Sequence, residues 1–331
     1  MKVLFVGGSG IISTEVSKLA IKKGIDLYIL NRGNKNDKLP KEVKILQGDI
    51  HHKDEVKALI KDMYFDTIVS WISFTVDDVK RDYELYNGHT KQFVFISSAS
   101  AYMKPIPFIP ITEEIPLGNK YWGYSENKKK CEDYLLDINN KDFNVTIIRP
   151  SHTYDETMLV SQLSSRNHPY TMINRMLEGK PIIMPDDGKS LWTLTYSGDF
   201  AHAFVDVLGN EKTYGNYYHL TGEKAYSWEQ INQFICDAVG VKPNVIYIPM
   251  GLILMHFPEF EAEIYGDKYG STTFDNRKIK AVVDHYQSIT EYKDIVKLAV
   301  ERLKNHIELQ KIDHAFNLRY DTLIEEYIKL K

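Results

Sequence analysis

The chain has 331 residues, 43% of them hydrophobic, which suffices for one large or two medium domains with a buried site. Its formal charge of −4 argues against a nucleic-acid partner, because proteins that bind nucleic acids usually carry a basic excess. The two cysteines signal neither a disulfide framework nor a zinc site, and no apolar stretch has the length of a leader or membrane span. We therefore expect a cytoplasmic protein without a membrane segment.

The first half of the chain alternates apolar runs with segments of helical periodicity. Val3–Val6 predicts a strand, Ile11–Ile21 predicts a helix that stops at Gly24, and Leu27–Leu30 predicts a second strand. Further strands are predicted at Val43–Leu46, Thr67–Trp71, Phe93–Ile96 and Val145–Ile148, and charged helices at Lys53–Lys61 and Val76–Tyr86. Strands buried on both faces and separated by helices predict an α/β fold with a doubly wound parallel sheet.

After Pro150 the pattern becomes looser and predicts a smaller α+β lobe. Loops rich in Pro and Asn surround Met172–Leu177. Asp199–Leu208 is a predicted helix, and Ser227 is the predicted N-cap of a helix that runs through Val239. The predicted division is a nucleotide-binding Rossmann domain at 1–165, with a returning segment at about 195–225, and a substrate-binding lobe at 166–331. A substrate would occupy the cleft between them.

A glycine-rich turn, VGGSGIIS, joins the first strand to the first helix. Gly7 and Gly10 would let a pyrophosphate approach the unpaired N–H groups at the start of the helix. Ser13 occupies the position where a third glycine is often found, and serine is small enough for it. The alternative is a plain tight turn, but its place at the first strand–helix junction favours a nucleotide site.

The end of the second strand bears on the choice between NADP and NAD. A carboxylate there would bind a ribose 2′-hydroxyl, but this chain has the neutral Asn31 followed by Arg32, whose guanidinium suits a phosphate. NADP is therefore the predicted cofactor and NAD the alternative, unless Arg32 simply faces solvent. Asp49 and Ile50, after the third strand, could hold the adenine.

The segment GYSENKKKCE places Tyr124 four residues before Lys128, on one face of a predicted helix. This spacing alone is weak evidence, because Tyr327 and Lys331 repeat it at the C-terminus by what we interpret as chance. Beside a lysine ammonium, however, a tyrosine phenol acquires a lower pKa and becomes a usable acid and base near neutral pH.

With the glycine turn, Ser98 and the Tyr124/Lys128 pair, the sequence resembles the extended short-chain dehydrogenase/reductase superfamily, in its branch of NAD-dependent epimerases and dehydratases. The resemblance spans nearly the whole chain and rests on VGGSGIIS, QGDI, FVFISSASAY, YSENKKKCE, TIIRPSHTY, TYSGDFAHA and FDNRKIK. It implies that Ser98 is the catalytic hydroxyl, Tyr124 the acid/base and Lys128 the residue that binds the nicotinamide ribose. The cofactor-binding residues that it implies are Gly7, Ser9, Gly10, Ile11, Ile12, Asn31, Arg32, Asp49, Ile50, Ser70, Lys128, Pro150 and His152.

Two departures from the family pattern bear on the substrate. Sugar-nucleotide dehydratases carry an acidic pair after the catalytic hydroxyl, whereas this chain has Ala99 and Ser100, so we do not expect dehydration. Many sugar-nucleotide epimerases hold the substrate diphosphate with an arginine where this chain has Trp192, although Lys189 could supply a charge. The expected substrate is sugar-like or another small molecule, with Ser100, Trp192 and Tyr196 as candidate contacts; Trp192 and Tyr196 could instead seal the lobe interface.

Two alternatives from other functional classes remain. The NRG sequence after the second strand also resembles a subgroup near the chloroplast stem-loop binding proteins, which would make the chain a non-catalytic NADP- or RNA-binding relative; NKKKCE favours this and the acidic net charge opposes it. The other alternative is a redox-sensing scaffold that binds NADP without turnover. We predict no metal site, since no ligand set accompanies His51 and His52. A homodimer is expected by family analogy alone.

Overall fold

The computed structural model describes residues 1–331. Its twelve strands are, in chain order, β1 (Lys2–Val6), β2 (Asp26–Asn31), β3 (Lys44–Gln47), β4 (Phe65–Ser70), β5 (Thr90–Ile96), β6 (Asn144–Pro150), β7 (His152–Tyr154), β8 (Ile182–Pro185), β9 (Leu191–Tyr196), β10 (Asn216–Leu220), β11 (Ala225–Ser227) and β12 (Val245–Ile248).

Twelve α-helices accompany the strands. They are α1 (Ile11–Lys22), α2 (Lys53–Ile60), α3 (Val76–Tyr86), α4 (Gly123–Asp137), α5 (Tyr170–Leu177), α6 (Ser197–Phe204), α7 (Trp228–Val239), α8 (Met250–His256), α9 (Glu261–Glu263), α10 (Arg277–Lys280), α11 (Tyr292–Asn305) and α12 (His314–Leu330). No helix combines the length and the apolar character that crossing a membrane would require.

Seven parallel strands form the central sheet, in the order β10-β6-β5-β4-β1-β2-β3. The strand order reverses between β1 and β4, and in open parallel sheets this is where ligands bind beyond the carboxyl ends. Residues 3–6 of β1 are fully buried because helices cover both faces of the sheet. The predicted fold class, a doubly wound parallel sheet of the Rossmann type, is confirmed.

The chain divides into two compact units. The first comprises Met1–Thr153, Thr195–Glu223 and Phe274–Ile289, and it contains the central sheet. The sequence-based division had assigned 274–289 to the other lobe and 154–165 to the Rossmann domain. In the structure, Ile279 and Val283 are buried in the core of the first unit, on the face of the sheet covered by α1 and α6.

The second unit comprises Tyr154–Leu194, Lys224–Thr273 and Thr290–Lys331. Within it β8 pairs with β12 in parallel, and a core of aromatic and aliphatic side chains from α8 and α12 packs around Phe257 and Tyr320. The predicted N-cap of α7 is confirmed, because Ser227 Oγ accepts the Gln230 N–H at 3.1 Å and Gln230 Oε1 accepts the Ser227 N–H at 2.9 Å.

Helix α6 differs from its predicted span. It begins at Ser197 and ends at Phe204, whereas the sequence predicted Asp199–Leu208. Beyond Phe204 the backbone bonds change to the tighter i→i−3 pattern, with the Val207 N–H donating to Phe204 O at 3.0 Å. The apolar residues that follow are buried in turns, which apolar periodicity cannot distinguish from one more helical turn.

Candidate active site

The glycine turn after β1 is confined to glycine by its backbone and its neighbours. Gly7 has φ +90° and Gly8 φ +108°, a region that other residues rarely adopt. A Cβ on Gly7 would lie 2.6 Å from Ile72 Cγ2, so the site has no room for a side chain. The turn at the carboxyl end of β1 therefore needs glycine for its backbone conformation and for its close contact with Ile72.

A cavity of about 470 Å³ opens at this end of the sheet, beside the turn. Its walls come from the segments that follow β1, β2, β3 and β4 and from one face of α3. Six of the predicted cofactor-binding residues line it: Gly7, Ser9, Asn31, Arg32, Asp49 and Ile50. Residues far apart in sequence thus meet at the reversal of strand order, where the sheet topology predicts a ligand.

Asn31 organises the loop after β2 instead of presenting a charge. Its Oδ1 accepts the Gly33 N–H at 2.8 Å, and its Nδ2 donates to Asn36 Oδ1 at 2.7 Å. This leaves Arg32 and Lys35 exposed, both on the cavity wall. Opposite them, the His51 backbone N–H binds Asp49 Oδ1 at 3.0 Å and lowers the pKa of that carboxyl. The wall thus carries two exposed cations beside an ionised Asp49.

The other predicted cofactor residues lie outside this cavity. Gly10 is exposed, and Ile11 and Ile12 are half-buried in the first turn of α1. The last residue of β6, Pro150, is buried, and His152 begins β7. The side chain of Ser70 is fully buried, where its hydroxyl donates to Asp82 Oδ2 at 2.9 Å.

Helix α4 carries Tyr124 in its first turn and Lys128 one turn later. Lys128 is 2% exposed, and its Nζ donates to Ser73 O and to Ile96 O, both at 2.7 Å. The ammonium also lies 4.7 Å from the Phe74 ring centroid and 5.7 Å from that of Tyr124. Burial lowers the pKa of Lys128 to about 8. The lysine is thus held beneath the tyrosine ring and inside the protein.

Hydroxyl groups connect the end of β5 to the start of α4. Ser98 Oγ lies 2.9 Å from Ser100 Oγ, which lies 2.7 Å from Ser125 Oγ. Ser125 directly follows Tyr124 and is fully buried, so the row joins Ser98 to the segment that carries the tyrosine. Sequence reasoning missed Ser125, although its place beside Tyr124 was visible.

A buried ion pair anchors the same helix to the sheet. Glu132, one turn beyond Lys128, accepts from Arg149 of β6, with Nη2 2.6 Å from Oε2, and also from the Ser97 hydroxyl. Arg149 Nη1 in turn donates to the Tyr102 hydroxyl at 3.1 Å. Because its donors are matched by acceptors, this pair can be accommodated in the interior, and it ties α4 to β5 and β6.

Residues 3–220 match the model of the NAD dependent epimerase/dehydratase family. The chain belongs to this family. The resemblance found in the sequence is thereby confirmed. Among curated relatives, the chloroplast stem-loop binding protein of 41 kDa b of Arabidopsis thaliana is 26% identical over 260 residues, 74% of this chain and 65% of that protein. A UDP-glucose 4-epimerase of Lactobacillus helveticus is 30% identical over 155 residues, 41% of this chain and 46% of the enzyme.

A similar solved structure is the UDP-glucuronic acid 4-epimerase from Bacillus cereus in complex with UDP-glucuronic acid and NAD. Its TM-score is 0.70 at 16% identity, over 92% of this chain and 99% of that one, and at this identity the likeness shows the shared fold. The match to the two curated relatives spans less than two thirds of their length. For this member of the epimerase/dehydratase family, the activities of these relatives are therefore proposals only.

The three candidate substrate contacts, Ser100, Trp192 and Tyr196, lie in different surroundings. Ser100 is buried in the hydroxyl row. Trp192, in the second unit, is 2% exposed, and its ring lies 5.4 Å from that of Trp228. Tyr196, in the first unit, covers Gly198, where an added Cβ would lie 2.5 Å from Tyr196 Cε1. Trp192, which the sequence predicts to stand in place of a diphosphate-binding arginine, is thus a buried aromatic side chain beside Trp228.

The lysine run of α4 is not a continuous basic surface. Lys128 faces the interior, whereas Lys129 Nζ lies 2.5 Å from Asp133 Oδ2 and Lys130 Nζ 3.9 Å from Glu126 Oε1. The half-buried Lys129 and the exposed Lys130 are thus each paired with an acid one turn away. No group of three or more His, Cys, Asp or Glu side chains is arranged to hold a metal ion.

Proposed function

We propose that this chain is an NADP-dependent oxidoreductase that transfers a hydride to or from a carbinol or carbonyl carbon of a sugar-like substrate. The observation that carries the proposal is the setting of Lys128, a buried ammonium held by two backbone carbonyls beneath Tyr124. Keeping a lysine charged inside a protein is costly and is typical of functional sites.

The residues of the turn and cavity fit a dinucleotide. Gly7 lines the cavity and has no side chain to stand between its backbone and a pyrophosphate, and Asp49 and Ile50 line the same cavity, where adenine would lie. The bound nicotinamide would supply or accept the hydride. Lys128 would bind the nicotinamide ribose, because its two bonds to carbonyls leave one of its three N–H donors for a hydroxyl.

In this proposal Tyr124 transfers the proton. A free phenol has a pKa near 10, so the positive charge of Lys128 on the same helix face would favour the phenolate and bring proton transfer nearer to neutral pH. Ser98 would donate a hydrogen bond to the substrate oxygen and stabilise the charge that develops there. Through Ser100 the hydroxyl row would orient Ser98 for this role.

Preference for NADP follows from the loop after β2. Asn31 brings no carboxylate to repel a 2′-phosphate, and Arg32 and Lys35 bring two cations to the same cavity wall. Arg32 is suited to phosphate because its guanidinium presents parallel N–H donors. We therefore propose that NADP binds in preference to the NAD for which the family is named.

The cofactor preference is tested by titrating NADPH and NADH into wild type, Arg32→Ala and a control, Arg302→Ala, in which the exposed arginine is on α11. Loss of one charged hydrogen bond to phosphate should weaken NADPH binding by about 1–3 kcal/mol and leave NADH unchanged. Equal weakening of both cofactors would contradict phosphate recognition by Arg32.

We propose a sugar-like substrate that needs no nucleotide diphosphate. The buried Trp192 supports this, because the family resemblance implies that many sugar-nucleotide epimerases have a diphosphate-binding arginine at this position. Against it, the UDP-glucose 4-epimerase relative is named for a nucleotide sugar. The test is a panel of sugars, polyols and sugar nucleotides, offered with NADPH or NADP⁺ and followed by nicotinamide absorbance. Turnover of UDP-sugars alone would contradict the proposal.

RNA binding is the second candidate, because the stem-loop binding relative matches 74% of this chain. Paired Lys129 and Lys130 offer little to a phosphate backbone, and the net charge of −4 opposes binding further. We expect no gel shift of a stem-loop RNA at physiological salt. A salt-sensitive shift that is lost in a Lys129→Ala/Lys130→Ala double variant would favour the RNA-binding candidate.

A further inference from the structure

Asp82 of α3 is a fully buried carboxylate that the proposed chemistry does not use. Its Oδ2 accepts the hydroxyls of Ser70 at 2.9 Å and Ser73 at 2.5 Å, and its Oδ1 accepts Arg81 Nη2 at 3.0 Å. Three donors are needed because an unpaired carboxylate at this depth would be prohibitively costly. Ser70 ends β4 and Ser73 lies in the segment that follows, so the carboxylate fixes the start of that segment.

The same segment holds Lys128. The Ser73 hydroxyl donates to Asp82, while the Ser73 carbonyl accepts the Lys128 ammonium at 2.7 Å. We infer that Asp82 is a positioning residue for the active site: it fixes Ser73, and the Ser73 carbonyl in turn fixes Lys128 beneath Tyr124. This inference rests on the proposed function, in which Lys128 binds the cofactor ribose and supports proton transfer.

A second carboxylate holds the other end of the segment. Asp78 Oδ2 accepts the backbone N–H groups of Phe74 and Thr75, both at 3.0 Å, and Arg81 Nη1 donates to Asp78 Oδ1 at 2.8 Å. Arg81 therefore bridges the two carboxylates, and both Arg81 and Asp78 line the cavity described above. The chain of bonds thus runs from the cavity wall to Lys128, through α3.

Several charged groups surround the lysine ammonium. Burial lowers the pKa of Lys128 to about 8, and the carboxylates of Asp78, Asp82 and Glu132 oppose this by favouring the protonated lysine. The neighbouring Cys131 thiol is neutral in this pH range, because burial raises its pKa to about 12. Removing the charge of Asp82 takes away one favourable interaction. The pKa of Lys128 should therefore fall further in Asp82→Asn.

The test compares Asp82→Asn and Ser73→Ala with a control, Glu84→Gln, which lies on the same helix and pairs with Lys53 and Lys57 at the surface. NMR of protein labelled with ¹³C-lysine would follow the titration of Lys128, assigned from its absence in Lys128→Arg. NADPH affinity would be measured in parallel by fluorescence titration.

We expect the Lys128 midpoint to fall by roughly half a pH unit or more in both variants, since a lost charge or a loosened carbonyl stabilises the ammonium less. NADPH affinity should fall about 10-fold, the effect of losing one well-aligned hydrogen bond to a charged group. The control should match wild type in both measurements. If Asp82→Asn does not fold, Ser73→Ala, which lacks a single hydroxyl, decides the question.

Variants that match Glu84→Gln in both the Lys128 midpoint and NADPH affinity would overturn the inference. If Asp82 served only to stabilise the fold, Asp82→Asn would lower the unfolding midpoint without moving the Lys128 titration. That result would also contradict the inference. The midpoint of the Lys128 titration can be measured without any cofactor. A shifted midpoint in a protein that binds neither NADPH nor NADH would therefore support the positioning role and overturn the proposed function, so the two failures can be told apart.

Discussion

Ser13 closes the glycine turn onto the first helix: the Gly10 N–H donates to Ser13 Oγ at 2.9 Å, and the hydroxyl lies 3.3 Å from Gly10 O. The sequence showed only that Ser13 stood where a third glycine is often found. In the structure the Ser13 hydroxyl caps α1, since it accepts a backbone N–H at the start of the helix that would otherwise lack a helical partner.

Replacing Ser13 by alanine should therefore destabilise the protein by about 1 kcal/mol, within the 0.5–2 kcal/mol range of a lost helix cap. Urea unfolding followed by circular dichroism measures the change. The control is Thr322→Ala, because the Thr322 hydroxyl lies on the exposed face of α12 and donates only to Leu318 O. Equal stability of Ser13→Ala and wild type would contradict the capping role.

Alanine substitutions of Gly7 and Gly24 form a matched pair of variants that tests the cofactor site. Both have positive φ, +90° and +76°, but a Cβ on Gly7 would lie 2.6 Å from Ile72 Cγ2, whereas nothing lies within 4 Å of one on Gly24. Gly24→Ala should cost only the backbone strain, about 1–2 kcal/mol, and keep NADPH binding. Gly7→Ala should lose more stability and bind NADPH too weakly to measure.

Fluorescence titration of NADPH, with urea unfolding of the same samples, distinguishes the two outcomes. If Gly7→Ala bound NADPH as wild type does, the backbone of the turn would not be the pyrophosphate site. A Gly24→Ala protein that also lost binding would show that the measurement reports global stability instead of local access.

Buried Lys128 should give a distinct pH dependence of stability. Burial lowers its pKa from the ordinary value of 10.5 to about 8, so between these values the unfolded chain binds more protons than the folded one. The free energy of unfolding contributed by this group therefore rises as the pH increases from about 8 to 10.5, and the penalty for burying the ammonium is fully present below pH 8.

This slope is measured by urea unfolding of wild type and Lys128→Met across that pH range. The difference between the two free energies should change in favour of wild type as pH rises, whatever its value at neutral pH. A difference that stays constant would mean that the lysine keeps an ordinary pKa in the folded protein.

Elements that build the parallel sheet were predictable because their signals are local. Apolar runs located β1, β2, β4, β5 and β6, and α3 matches its predicted span of Val76–Tyr86. The last sheet strand, β10, was not predicted as a strand because NYYHL mixes polar and aromatic residues at a sheet edge. This strand pairs with β6, which lies some 70 residues earlier in the chain, and no local pattern reveals so distant a pairing.

In the candidate site, too, local sequence patterns do not reveal contacts between distant residues. The glycine turn and the Tyr124/Lys128 spacing are readable in the sequence, but the support of Lys128 by Ser73 joins residues 55 positions apart. One signal was available: Asp82 lies three residues after Val79 and three before Leu85, on the buried face of α3. A carboxylate on the apolar face of a helix indicates a buried network, although not its partners.

Tyr124→Phe tests the proposed chemistry most directly, because it removes one oxygen from α4 and should leave the fold and NADPH affinity unchanged. Turnover of a substrate found in the panel should fall by about 10²- to 10⁴-fold, the usual contribution of general acid–base catalysis. Tyr327→Phe is the matched control, since Tyr327 near the end of α12 and Lys331 just after it have the same spacing, with the ammonium 4.8 Å from the ring centroid. Lys128→Ala should differ in kind from Tyr124→Phe and impair both turnover and NADPH binding, because the lysine would hold the ribose as well as favour the phenolate. Steady-state kinetics with NADPH titrations on all three variants separate these effects. Full activity in Tyr124→Phe would show that the spacing in GYSENKKKCE, like that of Tyr327 and Lys331, arises from chance on a helix.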